Sequence, residues 1–386
     1  MAEIADIFRR YGHEYLDRFG NTMLPSHRRA FGDIQQCRTE ALGGHVAQCD
    51  HCAHLRYAYH SCKNRSCPKC QKTDQENWLE KRRQELLPVP YFHLVFTLPK
   101  ELRSLLWSHQ RILYAILIKA ACHSLAKLAT DPRYLGGRIG VVAVLHTWTR
   151  ALLYHPHVHC LVPAGGLSAD GKYWLPARND FLVPVRALSL IFRAQFMELA
   201  RKALPGVTFP ETVWQTSWVV YCRPTPQRTQ KVLDYLARYI LRVAITNARI
   251  LSVANGKISF RYKDSREHCW KTATLPASDF IHRFLRHVLP KRFHKVRYYG
   301  FLSPKNRYQL TQIKQALLPH APDNEPRKTK DGGSNETAAT YHHTYLCPLC
   351  LTGTLVLVSF LAPQRRAPPC KSHDVSLPKA SSRRPS

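Results

Sequence analysis

Two Cys-x-x-Cys pairs near the start of the sequence have the spacing of metal ligands. Cys49 and Cys52 form the first pair, and Cys67 and Cys70 form the second after an interval of 14 residues. Each such turn presents two sulfur atoms to one ion, and four thiolates satisfy the tetrahedral coordination of zinc. Buried free thiols are the competing interpretation, but paired turns are a poor way to fill a core. The spacing therefore predicts a structural Zn²⁺ site on these four cysteines.

Other cysteines and histidines extend this pattern without completing it. Cys37, His45 and Cys62 lie close to the two pairs, where they either build a second zinc site or pack around the first. Near the other end of the sequence, Cys347 and Cys350 form a third Cys-x-x-Cys pair. That pair is half of a site, and the candidates that would complete it are His342, His343, Cys370 and His373.

A run of alternating histidines, His155-Pro156-His157-Val158-His159, reads as part of a β-strand. Because side chains alternate along a strand, His157 and His159 point to one side, while Val158 and Cys160 point into the core. Two imidazoles side by side supply two ligands for a divalent ion. Mg²⁺ or Mn²⁺ would suit a role in polarising phosphate, and zinc is the alternative. Taken alone, the motif also fits histidines that are simply packed in the interior.

Two tyrosines four residues apart, Tyr235 and Tyr239, lie on a helix that the Thr225-Pro226 pair is expected to open. This spacing places both hydroxyls on one helix face, about one turn apart. The rings border the apolar stripe of the helix, where a ring can pack while its hydroxyl reaches a cleft. The alternative is a pair of amphipathic tyrosines at the edge of the core.

The segment from Ile281 to Arg307 is basic, holds no Asp or Glu, and carries aromatic rings among its cations. Cations neutralise phosphates and rings stack on bases, so the segment predicts contact with single-stranded nucleic acid. A merely solvated face would also carry acids. The predicted DNA-binding residues are Arg283, Arg286, Lys291, Arg292, Lys295 and Arg297.

The composition of the 386-residue chain agrees with a polyanionic partner. Its 57 Lys and Arg residues against 26 Asp and Glu residues give a net charge of +31. A membrane surface is disfavoured because the basic residues are spread along the chain. The N-terminus lacks an apolar leader, and six of the 13 cysteines lie between Cys37 and Cys70, which favours metal over disulfides. We therefore expect a bacterial cytoplasmic protein associated with the nucleoid and DNA.

Sequence patterns predict an α+β fold in which an antiparallel sheet carries helices on one face. The expected domains are a helical lead with a zinc-binding domain over residues 1–90 and the main domain over 91–310. A linker over 311–345, a small Cys-x-x-Cys stub over 346–362 and a disordered basic tail over 363–386 follow. Within the main domain, the predicted strands are Tyr91–Leu98, Val141–Arg150, Tyr154–Val162 and Trp214–Tyr221, and the predicted helices are Leu105–Ala129 and Leu188–Leu204.

In this order, the motifs resemble the HUH-type rolling-circle transposases of the insertion-sequence ninety-one family. The matching stretches cover residues 37 to about 303 and are CRTEALGGHVAQCDHC, SCKNRSCPKCQ, YFHLVFTLP, LHTW, HPHVHCLVPAGG, YLARYILRVAITNARI and FIHRFLRHVLPKRFHKVRYYGFLS. The resemblance implies an N-terminal zinc-binding region followed by an HUH endonuclease domain with a ferredoxin-like sheet. It also implies that His157 and His159 bind the catalytic metal and that Tyr235 and Tyr239 are nucleophiles.

The resemblance further implies an activity. Enzymes of this family cut one DNA strand at the ends of an insertion sequence, form a 5′-phosphotyrosine and leave a free 3′-OH for strand transfer. The family usually has Thr-His after the second tyrosine, whereas this chain has Ile240-Leu241. The third metal ligand stays open among Gln227, Gln230, Asp234 and Asn247. Alternatives are an HUH replication initiator or relaxase with the same chemistry, and a non-catalytic zinc DNA-binding regulator.

Overall fold

The computed structural model describes residues 2–70, 80, 85–178, 180–225, 243–264, 267–317 and 345–364. The predicted helix that carries Tyr235 and Tyr239, and most of the predicted linker and tail, lie outside these residues. The chain divides into two compact units. The larger comprises Met1–Gln35 and Cys62–Glu336, and the smaller comprises Gln36–Ser61 and Thr337–Ser386.

Helices and strands alternate through the described residues. The helices are α1 (Ile4–Phe19), α2 (Pro25–Gln36), α3 (Arg103–Ser108), α4 (Gln110–Ala129), α5 (Val185–Ala203), α6 (Thr212–Gln215), α7 (Ala277–Leu285) and α8 (Arg307–Leu317). The strands are β1 (Gly44–Cys49), β2 (Leu55–Tyr59), β3 (Tyr91–Thr97), β4 (Val141–Trp148), β5 (Tyr154–Pro163), β6 (Gly165–Leu167), β7 (Trp174–Pro176), β8 (Val219–Pro224), β9 (Ile250–Ala254), β10 (Lys257–Lys263), β11 (Trp270–Pro276), β12 (Val296–Tyr299) and β13 (Leu355–Leu361).

A five-stranded sheet in the order β12-β4-β5-β3-β8 forms the centre of the larger unit. Every neighbouring pair in it is antiparallel. β4 and β5 correspond to the predicted strands Val141–Arg150 and Tyr154–Val162, and they form an antiparallel hairpin in which His146 is paired with His157. The mixed α+β class and the antiparallel sheet predicted from the sequence are therefore confirmed.

One face of this sheet packs on α4 and α5 to form the main core. On β5, Val158, Cys160 and Val162 are each fully buried in that core. The alternate residues of the same strands face the other way, as strand geometry requires. The sheet therefore has an apolar face covered by helices and an opposite face that carries the histidines.

The predicted helix over Leu105–Ala129 is interrupted. α3 ends at Ser108, and α4 begins at Gln110, because the backbone of His109 leaves the helical region with φ −123° and ψ 41°. Among the described residues, only α4 is long and apolar enough to cross a membrane, but 67% of its most apolar stretch is buried inside the protein. We therefore assign α4 to the core.

A second antiparallel sheet in the order β11-β10-β9 follows later in the chain. An Asn255-Gly256 turn joins β9 to β10, and these residues have positive φ angles of 50° and 69°. This left-handed geometry is what a two-residue hairpin turn requires. The predicted strand over Trp214–Tyr221 differs from the structure, where α6 ends at Gln215 and β8 begins only at Val219.

The smaller unit contains a three-stranded sheet in the order β13-β1-β2. β1 pairs antiparallel with both neighbours, so a strand from near the end of the described chain joins a hairpin from near its start. The pairing places Cys49 opposite Leu355. The end of β1 at Cys49 therefore meets the start of β13, which follows Cys347 and Cys350 in the chain.

The histidine cleft and the cysteine clusters

Three imidazoles converge on the open face of the five-stranded sheet. His146 comes from β4, and His157 and His159 come from β5. One ring nitrogen of each lies within 4.8 Å of those of the other two. His146 and His159 are buried, and His157 is partly exposed. Three nitrogen donors at this spacing can hold one divalent cation and leave coordination positions open on the cleft side.

Hydrogen bonds fix the orientation of two of these rings. His157 Nδ1 lies 2.7 Å from the carbonyl oxygen of His155, so Nδ1 donates to that carbonyl and the Nε2 lone pair is left for a ligand. His159 Nδ1 lies 2.8 Å from Nε2 of His93 on β3, and the two rings stack with centroids 5.1 Å apart. Such outer contacts position metal-binding imidazoles and set their tautomers.

Burial favours the uncharged form of His93, His157 and His159 near neutral pH. It lowers the pKa of His157 to about 4 and that of His93 to about 4. It also lowers the pKa of His159 well below its usual value, and the neighbouring His146 acts in the same direction. Neutral imidazole is the form that binds a metal. His157 and His159 are therefore in their ligating protonation state at neutral pH.

The imidazoles lie in a cleft of about 930 Å³ that is lined mainly by basic and aromatic side chains. The cations are Arg150, Arg223, Arg249 and Lys263, and the large rings are Trp148, Tyr221 and Tyr262. Asp264 is the acidic residue among the described lining residues, and its carboxylate lies 3.7 Å from Nζ of Lys271. The cleft therefore presents net positive charge around the histidines.

The second sheet supplies one wall of the cleft, and Arg249 connects it to the β4–β5 turn. The Arg249 guanidinium donates to the carbonyl oxygen of Arg261 on β10 at 2.8 Å and also to that of Arg150. On β8, the Arg223 guanidinium lies 5.2 Å from the ring centre of Tyr221. In such pairs the cation can contact the phosphates of a nucleic-acid strand, and the ring can stack on its unpaired bases.

The smaller unit brings four thiols together at the meeting ends of β1 and β13. The sulfur atoms of Cys49, Cys52, Cys347 and Cys350 all lie within 4.8 Å of one another. Hydrogen bonds from the side chain of Thr352 and the backbone of Gly353 lower the pKa of Cys350 to about 5. Four convergent thiols are a complete ligand set for tetrahedral zinc.

The larger unit brings three further thiols together. Cys62, Cys67 and Cys70 have sulfur atoms within the same 4.8 Å limit, and those of Cys62 and Cys70 are 3.6 Å apart. Between them in the chain, Arg65 Nη2 donates to the carbonyl oxygens of Leu289 at 3.0 Å and Pro290 at 2.7 Å. That contact anchors the cysteine turn to the segment after α7.

Comparison with known proteins agrees with these features. Residues 7–98 match the family described as "Transposase zinc-binding domain", and residues 140–309 match the family described as "Putative transposase". The chain is 40% identical to "Putative transposase y4qJ" of Sinorhizobium fredii, over 95% of this chain and 98% of that protein. It is 30% identical to "Transposase for insertion sequence element IS801" of Pseudomonas savastanoi pv. phaseolicola, over 75% of this chain and 74% of that protein. No solved structure matches it.

The chain is a transposase of the insertion-sequence ninety-one family. The predicted family is thereby confirmed, and so is a zinc-binding region in the N-terminal part of the transposase. Because transposases act on DNA, the polyanion inferred from the charge of the chain is DNA.

The structure divides the four cysteines predicted to share one zinc ion. Cys49 and Cys52 lie with the C-terminal pair, whereas Cys67 and Cys70 lie with Cys62. Of the other two residues considered for a second site, Cys37 is fully buried, and His45 lies on β1 with its ring 6.2 Å from that of His60. A Cys-x-x-Cys turn marks half a site, but the spacing of two turns along the chain does not reveal which turns meet.

Among the residues considered for the third catalytic ligand, Asn247 does not line the histidine cleft, and its Oδ1 accepts the backbone N–H of Ile4 at 3.1 Å. Gln227, Gln230 and Asp234 lie outside the described residues, as do Tyr235 and Tyr239. The third nitrogen of the histidine cluster belongs to His146, which was not among the residues predicted from the sequence. The LHTW stretch opposite HPHVH carried the available signal.

The predicted DNA-binding residues differ in their solvent exposure. Lys291 and Arg292 are exposed, and the other four are half-buried. The Arg286 guanidinium lies 5.0 Å from the ring centres of both Trp107 and Tyr154, and burial lowers the pKa of Lys295 to about 8. Arg297 lies 5.3 Å from the ring centre of Phe293. Some of the cationic side chains of this segment therefore pack against aromatic rings of the transposase.

Proposed function

We propose that this transposase nicks and rejoins single-stranded DNA at insertion-sequence ends through tyrosine attack and a 5′-phosphotyrosine intermediate. The observation that carries the proposal is the set of three imidazoles at the base of a positively charged cleft. Such a cleft can hold a phosphodiester next to a metal site. Rolling-circle transposition is the programme that the resemblance to HUH enzymes implies.

An HUH endonuclease domain over residues 91–310 is supported by the arrangement of the sheet. His157 and His159 lie on a central strand, with helices on the opposite face. A ferredoxin-like sheet has this division between a helical face and an open face. We assign catalysis to this domain, and the divisions predicted at 1–90, 311–345, 346–362 and 363–386 stay predictions.

The donor set favours Mn²⁺ over Mg²⁺ as the catalytic ion. Mg²⁺ prefers oxygen ligands, whereas imidazole nitrogen suits the first-row transition metals. When bound by His146, His157 and His159, such an ion would withdraw charge from the scissile phosphate. His93 and the carbonyl of His155 hold two of the three rings in place.

The residues that line the cleft would bind and orient the DNA strand. Arg223 and Lys263 are exposed cations that can neutralise phosphates, and Tyr221 and Tyr262 offer rings on which bases can stack. Positioning a strand in this way brings one phosphate next to the imidazoles and keeps neighbouring phosphates paired with cations. The protein thereby lowers the barrier by orientation as well as by charge.

The chemical step is a transesterification in which the number of phosphoester bonds is unchanged. The phenol of Tyr235 or Tyr239 loses its proton, and its oxygen forms a bond to phosphorus. The bond from phosphorus to the 3′ oxygen breaks, and that oxygen takes up a proton to become a 3′-OH. The phosphotyrosine conserves the ester for a later attack by a 3′-OH. Two tyrosines allow one cut end to be held while another is cut.

The test is the formation of a covalent protein–DNA adduct. The purified chain is incubated with Mn²⁺ and labelled single-stranded oligonucleotides from the ends of its element. We expect a denaturant-resistant adduct that disappears in the Y235F/Y239F double variant, because phenylalanine keeps the ring and removes the nucleophile. The single variants should each retain nicking, with Tyr239 the weaker nucleophile because Ile240-Leu241 replaces the usual Thr-His.

The matched control is Y308F, which removes an exposed hydroxyl from α8. It should form the adduct at the wild-type level. A double variant that is stable and still forms the adduct would overturn the assignment of the tyrosines. A wild-type chain that binds the oligonucleotides without forming any adduct would instead favour a non-catalytic DNA-binding regulator.

A further inference from the structure

The C-terminal Cys-x-x-Cys pair lies outside both family matches, which end at residues 98 and 309. Its sulfur atoms nevertheless meet those of the first pair, since Cys49 Sγ lies 3.7 Å from Cys350 Sγ, and Cys52 Sγ lies 3.7 Å from Cys347 Sγ. Zinc–sulfur bonds of about 2.3 Å in a tetrahedron place the sulfurs about 3.8 Å apart. A disulfide would require about 2.05 Å. The observed spacing is that of metal ligands.

The two turns have the same local geometry. The residue after the second cysteine has a positive φ in both, 56° at Ala53 and 60° at Leu351. Its N–H donates to the carbonyl oxygen of the first cysteine in both, at 3.1 Å and 3.0 Å. Left-handed geometry at a residue other than glycine is strained, and it persists where the surroundings require it. Two copies of one strained turn that face each other point to a common ligand.

Backbone N–H groups in both turns point at sulfur. Those of His51 and Cys52 donate to Cys49 Sγ at 3.4 Å. In the other turn, Leu349 N–H donates to Cys347 Sγ at 3.4 Å and Gly353 N–H donates to Cys350 Sγ at 3.3 Å. Such donors stabilise the thiolate, which is the form that binds zinc.

The described apolar residues of the smaller unit do not form a large core. On β13, Val356, Val358 and Phe360 each expose more than half of their surface, with 76% exposed at Phe360. A sheet with so little buried apolar area needs another source of stability, and structural zinc supplies one in small domains. Two ligands come from the end of β1 and the turn after it, and two come from the turn before β13. A single ion would therefore hold β1 and β13 together.

We infer that Cys49, Cys52, Cys347 and Cys350 bind one structural Zn²⁺ ion, and that the zinc-binding unit of this protein is completed by its C-terminal segment. The site is closed, because four thiolates fill the tetrahedron and leave no position for substrate. Its role is therefore to stabilise the unit, separately from the histidine cleft.

The first test is the zinc content of the reduced, full-length protein after dialysis against a weak chelator. The C347S/C350S double variant should contain one zinc ion fewer per chain than the wild type, and C49S/C52S should lose the same amount. C269S removes an exposed thiol from outside the clusters and should lose none. Zinc content in C347S/C350S equal to that of the wild type would overturn the inference.

The second test uses the unaltered protein, so it does not depend on the folding of a variant. Native chain is treated with an alkylating reagent, with and without a strong chelator, and modified peptides are mapped by mass spectrometry. We expect Cys347 and Cys350 to be protected until zinc is removed and then to react together with Cys49 and Cys52. Cys269 should react under both conditions. Alkylation of Cys347 and Cys350 at the rate of Cys269 before chelation would refute the site.

Discussion

At the scale of single residues, the least expected member of the proposed metal site is His146. It pairs with His157 across the β4–β5 ladder and completes a set of three nitrogen donors with His159. Neither neighbour of His146 in the sequence suggests a ligand. Its role follows from the register of the hairpin, which places it beside the HxH pair on the same face of the sheet.

Replacing this third ligand should affect metal binding before it affects DNA binding. We expect H146A to lower the affinity for Mn²⁺ by about 100-fold or more and to reduce nicking by a similar factor. Binding of single-stranded DNA without metal should change little, because the cations of the cleft are untouched. Calorimetric titration with Mn²⁺ and a nicking assay provide the two measurements.

The matched control is H13A, which removes an exposed histidine from α1 that pairs with Asp17. It should keep wild-type metal affinity and nicking. If H146A bound Mn²⁺ as tightly as H13A does, the site would consist of His157, His159 and a ligand from elsewhere in the chain.

At the scale of elements, strand periodicity predicted the two strands that carry the histidines of the proposed metal site. Residues on one face of β5 are buried under helices, so alternation of apolar residues reveals the strand and the direction of each side chain. The same reasoning could not find the cysteine partners. Cys350 is 301 residues from Cys49, and no local pattern reports contacts over that distance. The break at His109 was also missed, because α3 and α4 continue one apolar pattern.

The walls of the cleft give a test of where the DNA strand lies. Arg223 lies on β8, and Lys263 is the last residue of β10. Both side chains are exposed in the cleft. We expect R223A/K263A to weaken binding of single-stranded DNA and to lower the slope of log affinity against log salt by about 1.4, because each lost phosphate contact removes about 0.7. Fluorescence anisotropy at several salt concentrations measures both quantities.

The control for this prediction is K172A/R201A, which removes two cations that do not line the cleft. Its salt slope should match that of the wild type. A larger loss in K291A/R292A than in R223A/K263A would place the strand along the basic segment predicted from sequence and away from the cleft.

At the scale of the whole molecule, the net positive charge of the chain creates repulsion, and the burial of neutral histidines limits how much further charge the interior adds. A net charge of +31 favours association with DNA but opposes compaction. Protonating the interior would add to that repulsion, and the fold avoids this by burying histidines in the neutral state. His27 and His287 are buried in this way.

These two histidines should make the stability of the larger unit depend on pH. Burial lowers the pKa of His27 to about 4 and that of His287 to about 3, against an ordinary value of 6.5. Below pH 6.5 the unfolded chain takes up protons that the folded chain does not, so the free energy of unfolding falls as the pH falls. From pH 6.5 to 5.5, each histidine should contribute a loss of about 1 kcal/mol.

Urea unfolding at pH 7.5, 6.5 and 5.5, followed by circular dichroism, measures this dependence. H27N and H287N should each be less sensitive to pH than the wild type by about 1 kcal/mol over the lower interval, because asparagine does not titrate there. Release of zinc at low pH affects the wild type and both variants alike, so the difference between them isolates the histidine contribution. H13N, at an exposed position, should retain the wild-type dependence. Equal pH dependence in H27N, H287N and H13N would show that neither buried imidazole resists protonation in the folded protein.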